Sequence, residues 1–150
     1  MAHLLGAGED EIIFTSCGTE SDNAAIRSAL QVQPEKRHIV TSRVEHPAIR
    51  SLVATLAAQG YRVSEVPLDN LGRLDMAYYE KSLTTDTAIA SLMWANNETG
   101  VLFPVEEAAR QASERGILFH TDAVQAVGKV PIDMSRNSID MLSLSGYKLH

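Results

Sequence analysis

Apolar residues along the chain gather in short runs, separated by stretches in which they recur at helical spacing. The β-prone runs are residues 11–15 (EIIFT), 37–43 (RHIVTSR), 61–67 (YRVSEVP), 88–94 (AIASLMW), 117–121 (ILFHT) and 139–145 (IDMLSLS). Residues 88–94 are nearly continuous in apolar side chains, the pattern of a parallel strand covered on both faces, whereas residues 61–67 alternate. Between them lie the helical patterns. Ala24, Ala25, Ile26, Ala29 and Leu30 recur at helical spacing. Residues 48–59 follow Pro47, which suits a first helical turn. Residues 75–83 form a short amphipathic pattern behind Asp75 as N-cap, and a helix from Pro104 is closed by Gly116. Residues 69–72 (DNLG) are a turn, residues 122–128 a loop or short helix ended by Gly128, and residues 130–133 a connector. Strand and helix alternate with short connections, which predicts an α/β fold: a mainly parallel sheet with helices on both faces. There is no internal repeat, low-complexity tract or linker.

Bulk properties narrow the classes. The 150 residues suffice for one domain with a real core, and 45% apolar with 21% charged residues is a globular composition. The net charge of −6, with no offsetting basic cluster, argues against a nucleic-acid groove or an anionic membrane surface as partner. No run approaches a membrane span, and the opening MAHLLGAGEDE lacks a basic leader. The single cysteine, Cys17, excludes an internal disulfide framework and fits a reducing, cytoplasmic setting. Both ends read as cut: a helix tail runs straight into residues 11–15, and no helix follows the last strand. The expectation is a fragment.

Candidate chemistry falls where strands end. Gly18 and Thr19 follow the first run, His46 the second, Asn97 the run 88–94, Asp122 and Gln125 the run 117–121, and Ser145 to Lys148 the last. In an open parallel sheet such segments share the carboxyl edge, where ligands bind. An acid and a lysine delivered there, Asp122 and Lys148, suit pyridoxal phosphate, whose aldehyde condenses with an amine and whose ring nitrogen pairs with a carboxylate. A helix start carrying Gly18, Thr19 and Ser21 suits an anion. Each element also has a plain structural reading. Asp122 could cap a helix and Lys148 be surface, SCGTE could be an ordinary N-cap made by Ser16 or Thr19, His46 a capping group, and Asn97 part of a loop. Their joint placement is what chance explains poorly.

Five motifs carry a resemblance: FTSCGTESDN (14–23), EHP (45–47), WANNETG (94–100), FHTDAVQAVGKVPID (119–133) and LSLSGYKLH (142–150). Together, in order and spacing, they resemble the cysteine desulfurases of the NifS type, within the class V aminotransferase family of fold-type I pyridoxal phosphate enzymes. The resemblance spans nearly the whole chain and implies that it is part of the large domain, with an N-terminal segment and a smaller C-terminal domain missing. It implies pyridoxal 5'-phosphate as cofactor, Lys148 as the Schiff-base lysine and proton shuttle, and Asp122 on the pyridine nitrogen. His46 would stack on the ring and take part in proton transfer. Asn97 and Gln125 would reach the phenolic oxygen, and Gly18, Thr19 and Ser145 the phosphate. Where the family has histidine before the lysine this chain has Tyr147, which can donate one hydrogen bond but brings no positive charge. The implied reaction converts L-cysteine to L-alanine and passes sulfur, as a persulfide, to an acceptor such as an iron–sulfur scaffold. The wording of FTSCGTESDN and WANNETGVLFP leans toward the nitrogen-fixation branch. A homodimer is implied for the intact protein. The attacking cysteine would lie beyond His150, so Cys17 is expected to be buried or cofactor-adjacent and the fragment alone inactive.

Three rivals remain at this stage. A selenocysteine lyase or aminotransferase would share the fold. A non-enzymatic nucleotide-binding α/β module is the second, although no GxGxxG or GxxxxGK[ST] supports it. The third is a metal hydrolase using His120 and Asp122, which share one face of a strand but show no third ligand.

Overall fold

The computed structural model describes residues 1–148; the last two residues of LSLSGYKLH, Leu149 and His150, lie outside the described residues. Five strands, β1 (His38–Ser42), β2 (Arg62–Val66), β3 (Thr87–Ser91), β4 (Leu118–Asp122) and β5 (Met141–Ser143), form one sheet in the order β2-β1-β3-β4-β5. Every pairing is parallel. The chain winds first to one side of β1 and then to the other, so the order reverses between β1 and β3, the place where such sheets open a crevice.

Helices cover both faces, as the alternation predicts. α2 (Gly18–Gln31) and α3 (Pro47–Ala58) bury Ile26, Ala29, Ile49, Leu52 and Leu56 against Ile39 and Ile89. On the other face α4 (Met76–Ser82) and α5 (Val105–Ser113) pack Tyr79, Val105 and Ala108 on Val40, Ala90 and Phe119. Three alanines, Ala108, Ala109 and Ala112, form the buried stripe of α5 and let its backbone approach the sheet. Complete burial of a side chain such as Phe119 or Ile89 contributes roughly 1.5–3 kcal/mol. A single turn, α1 (Ala2–Leu5), adds Leu5 to this second core. Local signals act as read: Pro47 opens α3, the Asp75 carboxylate accepts the Tyr78 N–H at 2.9 Å, and Gly116 takes the left-handed φ of 65° after α5.

Two expectations are corrected. Residues 11–15 do not form a strand. A 3-10 turn spans Glu9–Glu11, and the chain then runs without a strand partner, leaving Ile13 86% and Phe14 92% exposed. A β-prone run becomes a strand only where another edge takes up its N–H and C=O groups, and among the described residues none lies beside it. β3 and β5 are also shorter than their apolar runs. β3 stops at Ser91 although Leu92 to Ala95 stay buried, and β5 keeps only Met141–Ser143.

The sheet changes character along its length on the α2/α3 side. Ile39, Ile89, Leu118 and Met141 belong to or pack on that core, and two residues later the strands carry Thr41, Ser91, His120 and Ser143, all buried. The period of two keeps each pair on one face. Continuing the alternation brings Met93, Asp122 and Ser145 to the rim, where all three line one cavity.

Candidate active site

A cavity of about 300 Å³ opens at the carboxyl ends of β1, β3, β4 and β5. It is of a size to hold a small ligand. Each element delivers its residue for a local reason. Asp122 closes β4, is 7% exposed, and its Oδ1 accepts the Val124 N–H at 3.0 Å, an Asx turn that fixes the carboxyl at the strand's end. Lys148 ends a 3-10 turn, Gly146–Lys148, whose N–H bonds back to the Ser145 carbonyl at 3.0 Å; its Nζ stands 5.8 Å from the Tyr147 ring centre. His46 is the N-cap of α3, its Nδ1 accepting the Ala48 N–H at 3.2 Å, and it also lines the cavity, so the capping role and the site position coexist.

The first turn of α2 supplies the opposite wall. Its N-cap is Cys17, not Ser16 or Thr19, and no side chain caps the helix. Gly18 and Thr19 therefore bring helix N-terminal amides to the cavity lining. A methyl group added at Gly18 would meet only Val124, at 3.6 Å, so packing within the protein does not require this glycine. Asn97 and Gln125 complete the polar lining, with Ser145 and Tyr147 from the segment after β5. Asn97 is exposed, carried by a turn in which Asn96 Oδ1 accepts the N–H groups of Glu98 and Thr99. Cys17 also lines the cavity but is exposed, which corrects the buried alternative; hydrogen bonds from the Glu20 amide and the Ser16 hydroxyl hold its thiol below the usual range. All nine residues singled out from the strand ends and the motifs thus meet around one space.

The sequence reading passed over a layer beneath them. Asp22 lines the cavity floor at 2% exposure, with Oδ1 lacking any hydrogen-bond partner. Glu45, one residue before His46, is buried; its Oε1 accepts the Met93 N–H at 3.0 Å and the Ser42 hydroxyl at 2.5 Å. The signal for Asp22 was present: Asp22, Ile26, Ala29 and Leu30 fall on one helical stripe, so an acid stands on a buried face. Burial raises all three carboxyls, Asp22 to about 7, Glu45 to about 8, and Asp122 upward with His46 and Lys148 pulling the other way. His120 hydrogen-bonds Ser91 Oγ through Nδ1 (2.8 Å) and Ser143 Oγ through Nε2 (3.0 Å), and burial lowers it to about 4. With both ring nitrogens engaged it is a poor metal ligand. Among the described residues no three His, Cys, Asp or Glu side chains come together as a metal group.

The chain matches the family model for class-V aminotransferases over residues 1–150. It is 62% identical over 148 residues to the cysteine desulfurase NifS of Azotobacter vinelandii, covering 98% of this chain and 37% of that protein. It is 56% identical over 150 residues to a cysteine desulfurase of a Nostoc species, covering all of this chain and 38% of that one. The chain therefore spans well under half the length of these relatives. Among solved structures, a NifS-like protein superposes with a TM-score of 0.94 at 37% identity, over 99% of this chain and 42% of its own. SspA in complex with cysteine gives 0.92 at 36% identity, over 98% and 43%. A five-stranded parallel sheet with its polar residues gathered at one edge, a family match from end to end and these relatives agree: the chain belongs to the aminotransferase class-V family.

Proposed function

We propose that the cavity binds pyridoxal 5'-phosphate and that the site belongs to a cysteine desulfurase, which converts L-cysteine to L-alanine and passes the sulfur on as a persulfide. The observation that carries this reading is the meeting of Asp122 and Lys148 in one cavity with an uncapped helix N-terminus on its wall. The donor set suits the cofactor chemically. Anion-binding amides and hydroxyls from Gly18, Thr19, Ser145 and Tyr147 suit its phosphate, with a phenol where the family has imidazole. A buried carboxyl at the cavity, Asp122, suits a protonated ring nitrogen, and two amides, Asn97 and Gln125, suit the phenolic oxygen. His46 would lie over the ring. When bound, the cofactor supplies an aldehyde that captures amines and a ring that takes up the negative charge left at a substrate α-carbon. Lys148 would supply the capturing amine and carry the α-proton. Asp122 would hold the ring nitrogen in its protonated form.

The relatives named as cysteine desulfurases and the cysteine-bound SspA support cysteine as the substrate. The NifS name favours sulfur supply to iron–sulfur clusters in nitrogen fixation. On this reading the thiol that attacks the substrate sulfur comes from outside these 150 residues, and the 150 residues alone are inactive. Cys17 stands at the helix N-terminus, which is given over to phosphate. The intact protein would be a cytoplasmic homodimer; among the described residues no helix is long and apolar enough to cross a membrane. The test is borohydride reduction of the chain mixed with pyridoxal phosphate, followed by peptide mass analysis. The pyridoxyl mass is expected on Lys148 and lost in Lys148→Ala. Labelling confined to Lys36, Lys81 or Lys129 would refute the assignment.

A further inference from the structure

The polar layer under the cavity holds more acid than the site uses. Asp22 from α2, Asp122 from β4 and Glu45 from the loop after β1 are each at least nine-tenths buried and feel one another's charge. Three neighbouring carboxylates in so dry a place cannot all ionise. The surroundings decide which one does. Asp122 has an N–H donor in Val124 and faces His46 and Lys148 across the cavity. Glu45 faces no cation, and its Oε2 is without a partner. Asp22 faces His120, whose Nε2 lies 3.6 Å from the orphaned Oδ1, and Asp122 itself. His120 is locked in place by Ser91 and Ser143, and Ser143 is in turn bonded to Ser21 on α2 at 2.8 Å.

We propose that Asp22 and His120 are a positioning pair for Asp122: together they hold one proton and carry no net charge, which leaves the negative charge of the acid cluster on Asp122, at the cavity. The pair is neutral whichever member carries the proton. An acid beside a neutral imidazole and a carboxylate beside an imidazolium both sum to zero. The acid form fits the surroundings better, because a bare carboxylate oxygen buried without a donor is expensive. The opposing tendencies of the two groups, Asp22 raised to about 7 and His120 lowered to about 4, agree with it. The device works below about pH 7; above that the pair gives up its proton and places a second negative charge behind Asp122. Its purpose rests on the reading that Asp122 meets the pyridine nitrogen, but its geometry does not.

The experiment separates the two. The chain is labelled with carbon-13 at its aspartate carboxyl carbons, and the Asp22 and Asp122 signals are assigned through their own backbones and followed with pH, with no cofactor added. Of these two, Asp122 is expected to ionise first and Asp22 second, near pH 7, and Asp122→Asn to lower the Asp22 midpoint. Asp22 ionising first, or in the ordinary carboxylate range, overturns the proposal whatever the cavity binds. With pyridoxal phosphate bound, the cofactor's absorbance is expected to show an inflection near pH 7 that Asp22→Asn removes. An inflection that survives belongs to another group and overturns the pairing. Absence of any bound cofactor would instead count against the proposed function, while the order of ionisation would stand.

Discussion

Glu45 gives the sharpest test of the buried acid layer. Glutamine copies the neutral form of this side chain closely. Its carbonyl oxygen can accept the Met93 N–H and the Ser42 hydroxyl as Oε1 does, and its amide replaces an Oε2 that has no partner. The two proteins should therefore differ only where Glu45 ionises. Its folded value, about 8, lies above the ordinary 4.5, so the contribution of the protonated acid is complete below pH 4.5 and lost as pH rises to 8. At about 1.4 kcal/mol per pH unit, that amounts to roughly 3 kcal/mol by pH 7 and roughly 5 by pH 8. These are upper figures, since rearrangement that admits water softens the penalty. Urea unfolding followed by circular dichroism at about pH 5, 7 and 8 reads the difference. Glu45→Gln should lie within about 1 kcal/mol of wild type at the lowest pH and be more stable by about 2–5 at the highest. Asp22 tilts both curves and largely cancels in the comparison. Parallel curves, or a variant equally destabilised at every pH, would show that Glu45 is already ionised in the fold and that the argument from burial is wrong.

Other substitutions probe the site and the core. In the full-length protein, Asp122→Asn should leave the borohydride-trappable bond at Lys148 but slow exchange of the substrate α-proton for deuterium by on the order of 10²–10³, read by proton magnetic resonance; a near-normal rate would make Asp122 structural only. Tyr147→His should tighten pyridoxal phosphate binding by about 2–5-fold, more at pH 6 than at pH 8, because the imidazole is charged only at the lower pH and position 147 is 73% exposed. Equal affinity at both pH values would place the phosphate elsewhere. Tyr79→Phe removes a fully buried hydroxyl that donates to the Ala108 carbonyl at 2.8 Å and should cost about 1 kcal/mol; unchanged thermal stability would mean that the carbonyl is content with its helical bond.

Signals that act within a few residues were legible. Pro47 opening α3, Asp75 capping α4 and Gly116 turning after α5 need only their neighbours. Seven of the nine singled-out cavity residues were legible because a parallel sheet collects strand ends and the motifs marked which ends to look at; Gly18 and Thr19 reach the cavity at the start of α2 instead, and only their motif and the helix-start pattern pointed to them. Residues 11–15 were misread for the opposite reason. Strand propensity is local but strand pairing is not, and Ile13 and Phe14 have nothing beside them. Asp22 stands inside the motif FTSCGTESDN and drew no role of its own from the sequence. Its burial depends on Ser143 and His120 lying beneath α2, contacts between segments about a hundred residues apart. Cys17 could be placed beside the site but not graded for exposure, since that depends on what stands over it.

The all-parallel sheet also dictates when the site comes into being. No two neighbouring strands are joined by a hairpin, so every pairing requires closure of a long connection, which carries an α-helix in every case but β4 to β5. β1, central to its neighbours β2 and β3, can begin the sheet, whereas β5 is last in sequence and at the sheet's edge. The cavity needs both the start of α2 and the turn after β5, nearly the full length of the chain apart. A half-built sheet has the α2 wall of the cavity without Lys148. Productive capture of a cofactor is thus a late event in folding, and the chain must reach its slow, high-contact-order end state before it can be rewarded with the ligand's binding energy.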